Sequence, residues 1–218
     1  MSFGDKKLSE IAVSVPGSTS LLRKYDLDFC CGGSDTLANA AAEKGLNLAE
    51  IETRLTELQN SKAENPEEYW VNATYPEIID HILVRYHQRH REQLQELIVL
   101  ADRVESVHGD REDCPIGVAA ELRNVYEDLS NHMMKEEHVL FPMIKAGNYM
   151  MAQMPIRMME MEHAEHGEHL EVLKSLTNNM TPPADACNTW LALYSGIQEF
   201  IDDLMMHIHR ENNIFFPR

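Results

Sequence analysis

The residues best suited to chemistry occur in two matched strings. "HMMKEEHVLFP" runs from His132 to Pro142, and "HIHRENNIFFP" runs from His207 to Pro217. Each reads His, three residues, Glu, and then a Phe-Pro end, with Asp-Leu four and three residues before the His. On a helix a His and a Glu four apart lie on one face, about one turn from each other. His132 with Glu136, and His207 with Glu211, can therefore reach one point each, flanked by Leu129 and Leu140 and by Leu204 and Phe215. A charged Glu on an inward stripe is costly to bury unless a cation or hydrogen-bonding partner compensates it. Imidazole plus carboxylate suits iron, zinc or manganese. One such pair alone is more often a solvent-facing contact, worth a few tenths of a kcal/mol. Two copies in register reverse that reading. The repeat also selects the acid: of Glu136, Glu137 and His138, only Glu136 has a counterpart at the same offset in the second string.

Two further strings supply imidazoles. "YHQRHRE" holds His87 and His90, and "EHAEHGE" holds His163 and His166. His87 to His163 is a step of 76 residues and His132 to His207 a step of 75. Each half is thus a helix with His-x-x-His followed by a helix with His-x-x-x-Glu, a pseudo-symmetric unit of metal-ligand types. By the apolar stripe, His90 and His166 sit nearer the centre of their faces and His87 and His163 nearer the edge, so periodicity leaves both pairs open as ligands. His81, His108, His138, His169 and His209 read as surface residues. The Met cluster of "MAQMPIRMMEM", with Met133, Met134, Met205 and Met206, reads as adaptable core rather than a thioether metal site.

Long helices must position these groups. From about Pro76 apolar residues recur at helical spacing, with expected helices over about Glu77–Val107, Gly117–Ile144, Ile156 to before "TNNMTPP", and Asp185–Phe216. Short connections give an up-down four-helix bundle, the interior of which is where carboxylate-bridged metal pairs are built. Up to about residue 60 the chain is a series of short helical pieces broken by Pro16, Gly32-Gly33 and Gly45, which must pack on something to persist. No window alternates with period two, so the fold class is all-α. The expected domains are 1–60, a small helical domain; 61–75, a polar linker; and 76–218, the bundle.

Bulk properties narrow the partners. With 218 residues and 44% hydrophobic content, the chain can bury one good core and a smaller appendage. A formal charge of −17, spread along the chain, makes nucleic acid and anionic membranes poor partners. No run is long enough to span a membrane and no signal-peptide pattern is present, so a cytoplasmic location is expected. The four Cys, two of them adjacent, do not form a disulfide framework. In "DFCCGG", Cys30 and Cys31 lie at a turn. Nearby amides with Arg23 or Lys24 there could lower a thiol pKa; equally, the pair could be two small, part-buried residues in a connection.

The His/Glu pattern resembles the hemerythrin family, with two departures. Gly167 stands where a fifth His is expected, and Glu211 follows its His by four rather than five residues. Taken with "LLRKYDLDFCCGGSDTL" and "NNMTPP", essentially the entire chain resembles the iron–sulfur cluster repair di-iron proteins. That resemblance implies two non-haem irons, carboxylate-bridged and oxo- or hydroxo-bridged, held by His87, His132, His163 and His207 with Glu136 and Glu211 bridging. About one position per ion is then left open, which favours reactive diatomics or metal exchange over oxygen storage. It also implies a cytoplasmic role in restoring iron–sulfur proteins damaged by oxidative or nitrosative stress, with Cys30 and Cys31 passing iron or contacting the client, and a possible homodimer. Alternatives at the same site are reduction or scavenging of nitric oxide, and hemerythrin-like sensing of oxygen or nitric oxide.

Overall fold

The computed structural model describes residues 2–61 and 63–218, and divides them into two compact units. Among the described residues the regular structure is helical, with one isolated antiparallel bridge between Lys7 and Thr36.

The first unit comprises the chain up to Ile78 together with Met205–Arg218. Its helices are α1 (Leu8–Ser14), α2 (Ser18–Lys24), α3 (Leu37–Glu43), α4 (Leu48–Asn60), α5 (Pro66–Asn72) and the start of α6 (Tyr75–His81). Most are two turns long, so their ends need explicit partners. The side chains of Thr36, Asn47 and Asn65 accept from Asn39, Glu50 and Glu67 amides, capping α3, α4 and α5. Leu8, Ile11, Leu22, Leu27, Phe29, Leu37, Ile51 and Leu55 form the core. The stretch read as a polar linker contains α5, opened by Pro66 at its first turn, and Glu67 on it is buried.

The second unit spans Ile79–Leu204 and is the four-helix bundle. Its first helix is α6 continued by a π-helical turn, π1 (Ile82–His87), and by α7 (Gln88–His108). The second is α8 (Val118–Lys135), π2 (Glu136–Leu140) and α9 (Phe141–Lys145). The third is α10 (Tyr149–Leu176), and the fourth is α11 (Asn188–Arg210), which runs on into π3 (Glu211–Phe215). Gly196 lets α7 and α11 approach closely: a Cβ there would lie 2.7 Å from Leu97 Cδ2. Arg85 and Arg89 donate across to Asp203 and Glu199, and Glu105 on α7 accepts the Gly117 and Ala119 amides at the start of α8.

Two element expectations are corrected. The third helix begins at Tyr149, seven residues earlier than Ile156, because Pro155 sits inside its second turn, near enough to the N-terminus to be accommodated. Pro142 does not close the second helix. The chain passes through π2 and continues as α9 with Pro142 in its first turn.

Gly33 supports the Cys-Cys turn of the first unit by having no side chain. A Cβ there would lie 2.5 Å from the Phe29 carbonyl oxygen and 3.0 Å from Ser9 Cβ, and neither can retreat cheaply. Gly33→Ala should therefore lower the unfolding free energy by about 1–3 kcal/mol, the usual cost of overpacking, read as a lower urea midpoint at unchanged slope.

Candidate metal centre

In the second unit, four buried side chains converge. His87 ends π1, His132 lies in the last turn of α8, Glu136 opens π2, and His163 projects from α10. Glu136 Oε2 lies 3.3 Å from His87 Nε2 and 3.4 Å from His132 Nε2. His163 Nε2 lies 3.1 Å from His132 Nε2, so two imidazole lone-pair positions are aimed at one another. Neutral rings in that pose need a proton or a cation between them. Ligand atoms of His132, Glu136 and His163 all fall within 4.8 Å of one another, as do those of His87 and Glu136. In the first unit, His207 and Glu211 are both buried, with Nε2 and Oε1 3.3 Å apart. The donor set is imidazole and carboxylate in a water-poor interior, which fits a first-row transition metal.

Three of the six residues sit at π-helical turns, a feature that often marks functional sites. Glu136 and Glu211 each open a π turn, and each carbonyl accepts an amide five residues on, from Phe141 and Phe216. Pro142 and Pro217 follow at the same interval from these Glu. A proline ring clashes with the carbonyl four residues before it in a regular helix. Widening the turn relieves that clash, and it sets the carboxylate at the start of the widened segment.

Outer carboxylates orient two of the imidazoles. His87 Nδ1 is 2.8 Å from Glu137 Oε1, which also accepts from Arg91. His132 Nδ1 is 3.0 Å from Glu162 Oε2, which also accepts from Lys135. The His87 hydrogen bond, with Arg91 against a desolvation cost, holds Glu137 down to about 2. The His132 bond, with Lys135, does the same for Glu162. An ionised carboxylate fixes the proton on Nδ1 and leaves the Nε2 lone pair facing Glu136.

Residues 78–218 match the hemerythrin HHE cation-binding domain, and residues 4–59 match a domain of unknown function, DUF542. A probable iron–sulfur cluster repair protein of Haemophilus influenzae is 68% identical over all of this chain and 98% of its own length. The chain belongs to the hemerythrin-like iron–sulfur cluster repair family. The family's iron–sulfur cluster repair proteins YtfE from Citrobacter koseri and Musicola paradisiaca are 56% and 54% identical, covering all of this chain and 98% and 97% of their own lengths.

Other His of this family member lie outside those groups of ligand atoms. His90 and His166, which periodicity left open as ligands, are buried as their place on the apolar stripe suggests, and they stand outside the groups of close ligand atoms. His90 stacks on Tyr86 and meets Phe200 edge-on, while His166 meets His132 edge-on. Burial, with the nearby His132 and His163, pushes His166 down to about 2. His209, read as a surface residue, is fully buried against Phe29. Only part of the Met cluster is core: Met133 and Met159 are buried, but Met150, Met151, Met154, Met158 and Met161 are exposed along α10. No helix among the described residues is long and apolar enough to cross a membrane.

The Cys30 and Cys31 sulfurs lie 3.8 Å apart, and with Asp28 they form a third close group of ligand atoms. The amides expected to favour a thiolate instead bond to Asp28, which accepts from the Cys30, Cys31 and Gly32 N–H groups. The contact with Cys31, burial and the Asp28 charge push the Cys30 thiol well up. The activated thiol is Cys187, which sequence reading passed over. Amides at the start of α11 and His108, its Nε2 3.3 Å from the sulfur, pull Cys187 down to about 7. Its thiolate fraction should rise as pH passes upward through 7. Timed alkylation with peptide mass mapping should find Cys187 modified before Cys30 and Cys114, with a rate that climbs through pH 7 and then levels.

Proposed function

We propose that this chain repairs damaged iron–sulfur clusters by supplying iron from a carboxylate-bridged pair of non-haem irons. The residues proposed to hold them are His87, His132, Glu136, His163, His207 and Glu211. The observation that carries the reading is the Glu136 carboxylate, fully buried and faced by Nε2 atoms of His87 and His132 from two different helices. A carboxylate flanked in this way is suited to bridge two cations. Glu211 takes the equivalent role by the internal repeat, with His207 one turn before it on an unbroken helix. The relatives' names as iron–sulfur cluster repair proteins point the same way.

The bound iron would be both a Lewis-acidic centre and the cargo. The chain's own part is orientation and release. Glu137 and Glu162 keep His87 and His132 in the tautomer that binds, and their links to Arg91 and Lys135 at the protein surface tie that orientation to exposed charges. Cys30 and Cys31 are proposed to contact the client or pass iron to it.

Iron analysis of freshly purified protein should give about two irons per chain with a spin-coupled spectrum, and the loaded protein should restore an inactivated cluster enzyme. One iron per chain would sink the paired reading. Glu136→Ala should lose most of the iron. Glu137→Gln and Glu162→Gln should each weaken iron binding about 10–100-fold, as loss of an outer carboxylate does, with helix content unchanged by circular dichroism. If Cys30→Ala with Cys31→Ala still restores the client at the normal rate, the thiols have no part in transfer.

A further inference from the structure

Glu211 is surrounded in sequence by residues that are all anchored on N-terminal elements of the first unit. Asn212 Nδ2 donates to the Cys30 carbonyl at 3.0 Å, and Asn213 Nδ2 donates to the Phe29 carbonyl at 2.8 Å. Asn213 also bonds His209 Nδ1 at 2.8 Å, and the His209 ring meets Phe29 edge-on with centroids 5.3 Å apart. On the other side, Arg210 pairs with buried Glu67 of α5, and its guanidinium lies 4.8 Å from the Trp70 ring centroid. Residues 209, 210, 212 and 213 are therefore all held, and residue 211 between them is the proposed bridging carboxylate.

The other end of this linkage is stiff. Asp28 gathers the amides of Cys30, Cys31 and Gly32, and Gly33 has no room for a side chain, so the turn carrying the two thiols has one arrangement. A carboxyamide is neutral and directional. Two in succession on a helix turn, each reaching a different carbonyl of one loop, fix the turn's rotation as well as its distance. Side chains that only filled space would not need both.

We infer that Asn212 and Asn213 are positioning residues that couple the Cys30–Cys31 turn to the metal-facing pose of Glu211. A change at the thiols that turns the Cys30 peptide is passed through two hydrogen bonds to the π turn carrying the carboxylate. The coupling makes the hold on iron depend on what occupies the dithiol turn, such as a client surface or a soft cation. This rests on the assignment of Glu211 as a ligand.

The test uses the full iron-loaded chain with Cys114→Ser and Cys187→Ser, so that only the paired thiols react. Iodoacetamide is the probe: sulfur displaces iodide at carbon, and the thiol proton goes to solvent. Alkylation should speed iron loss to a chelator about tenfold, the scale of a lost outer partner, and shift the iron spectrum. Asn212→Ala with Asn213→Ala should show the faster loss and the shifted spectrum before alkylation, and alkylation should then add nothing. Asn212→Ala alone, which leaves Asn213 and the Glu67–Arg210 pair in place, should fall between, with the metal-free protein melting as before. An unchanged spectrum and release rate in the alkylated parent, or equal alkylation effects in parent and double variant, overturns the coupling. Glu211→Ala in parallel separates the two ideas: full iron retention there removes the ligand assignment itself, whereas iron loss there with no alkylation effect removes only the coupling.

Discussion

Everything in this molecule is arranged around the cost of burying carboxylate charge. Glu136 and Glu211 are both fully buried, at positions where the surrounding stripe is Leu and Phe. A bare carboxylate there would cost several kcal/mol or more, and the effective penalty falls only with a cation or directed donors nearby. Buried imidazoles that turn Nε2 lone pairs towards Glu136 leave its charge to be met by a cation between them. Glu137 and Glu162, ionised and themselves tied to Arg91 and Lys135, hold the rings of His87 and His132 in the one tautomer that presents those lone pairs. Polar groups follow one another outward from the interior: carboxylate, neutral imidazole, carboxylate, surface cation. Such a chain has few alternative arrangements, which is what a preorganised metal site requires.

Helix geometry supplies the second constraint. A regular α-helix repeats its faces every turn and has no means of singling out one residue. The π turns at Ile82–His87, Glu136–Leu140 and Glu211–Phe215 break that regularity at His87, Glu136 and Glu211, three of the proposed ligands. In the two His-x-x-x-Glu helices the prolines at 142 and 217 make the wider turn the less strained choice. The second helix then resumes as α9, so local irregularity costs it little length.

The N-terminal helices have a structural role beyond carrying two thiols. Too short to persist alone, they build their own core on Leu8, Ile11, Phe29 and Leu55 and take the last residues of the chain, 205–218, into the same compact unit. Glu67 and Asn65, in a stretch that reads as polar connection, turn out to be a buried ion-pair partner and a helix cap. Composition cannot separate an acidic linker from a helix one of whose two acids meets an arginine more than 140 residues away.

The sequence by itself determined the all-α bundle and its internal repeat, and it singled out Glu136 among its neighbours as the candidate acid, because periodicity and repetition are properties of one dimension. Periodicity could not rank His87 over His90 or His163 over His166, since all four are buried and only three-dimensional direction separates a ring aimed at Glu136 from one stacked on Tyr86 and edge-on to Phe200. Nor could it show that Pro142 widens a helix instead of ending it, or that His209 is interior while the Met row of α10 is not. Those outcomes depend on which faces other segments cover, and the covering segments are distant in sequence. The spacing of His and Glu carries the proposed chemistry, but the contacts that Glu137, Glu162, Asn212 and Asn213 make around it exist only once the chain has folded.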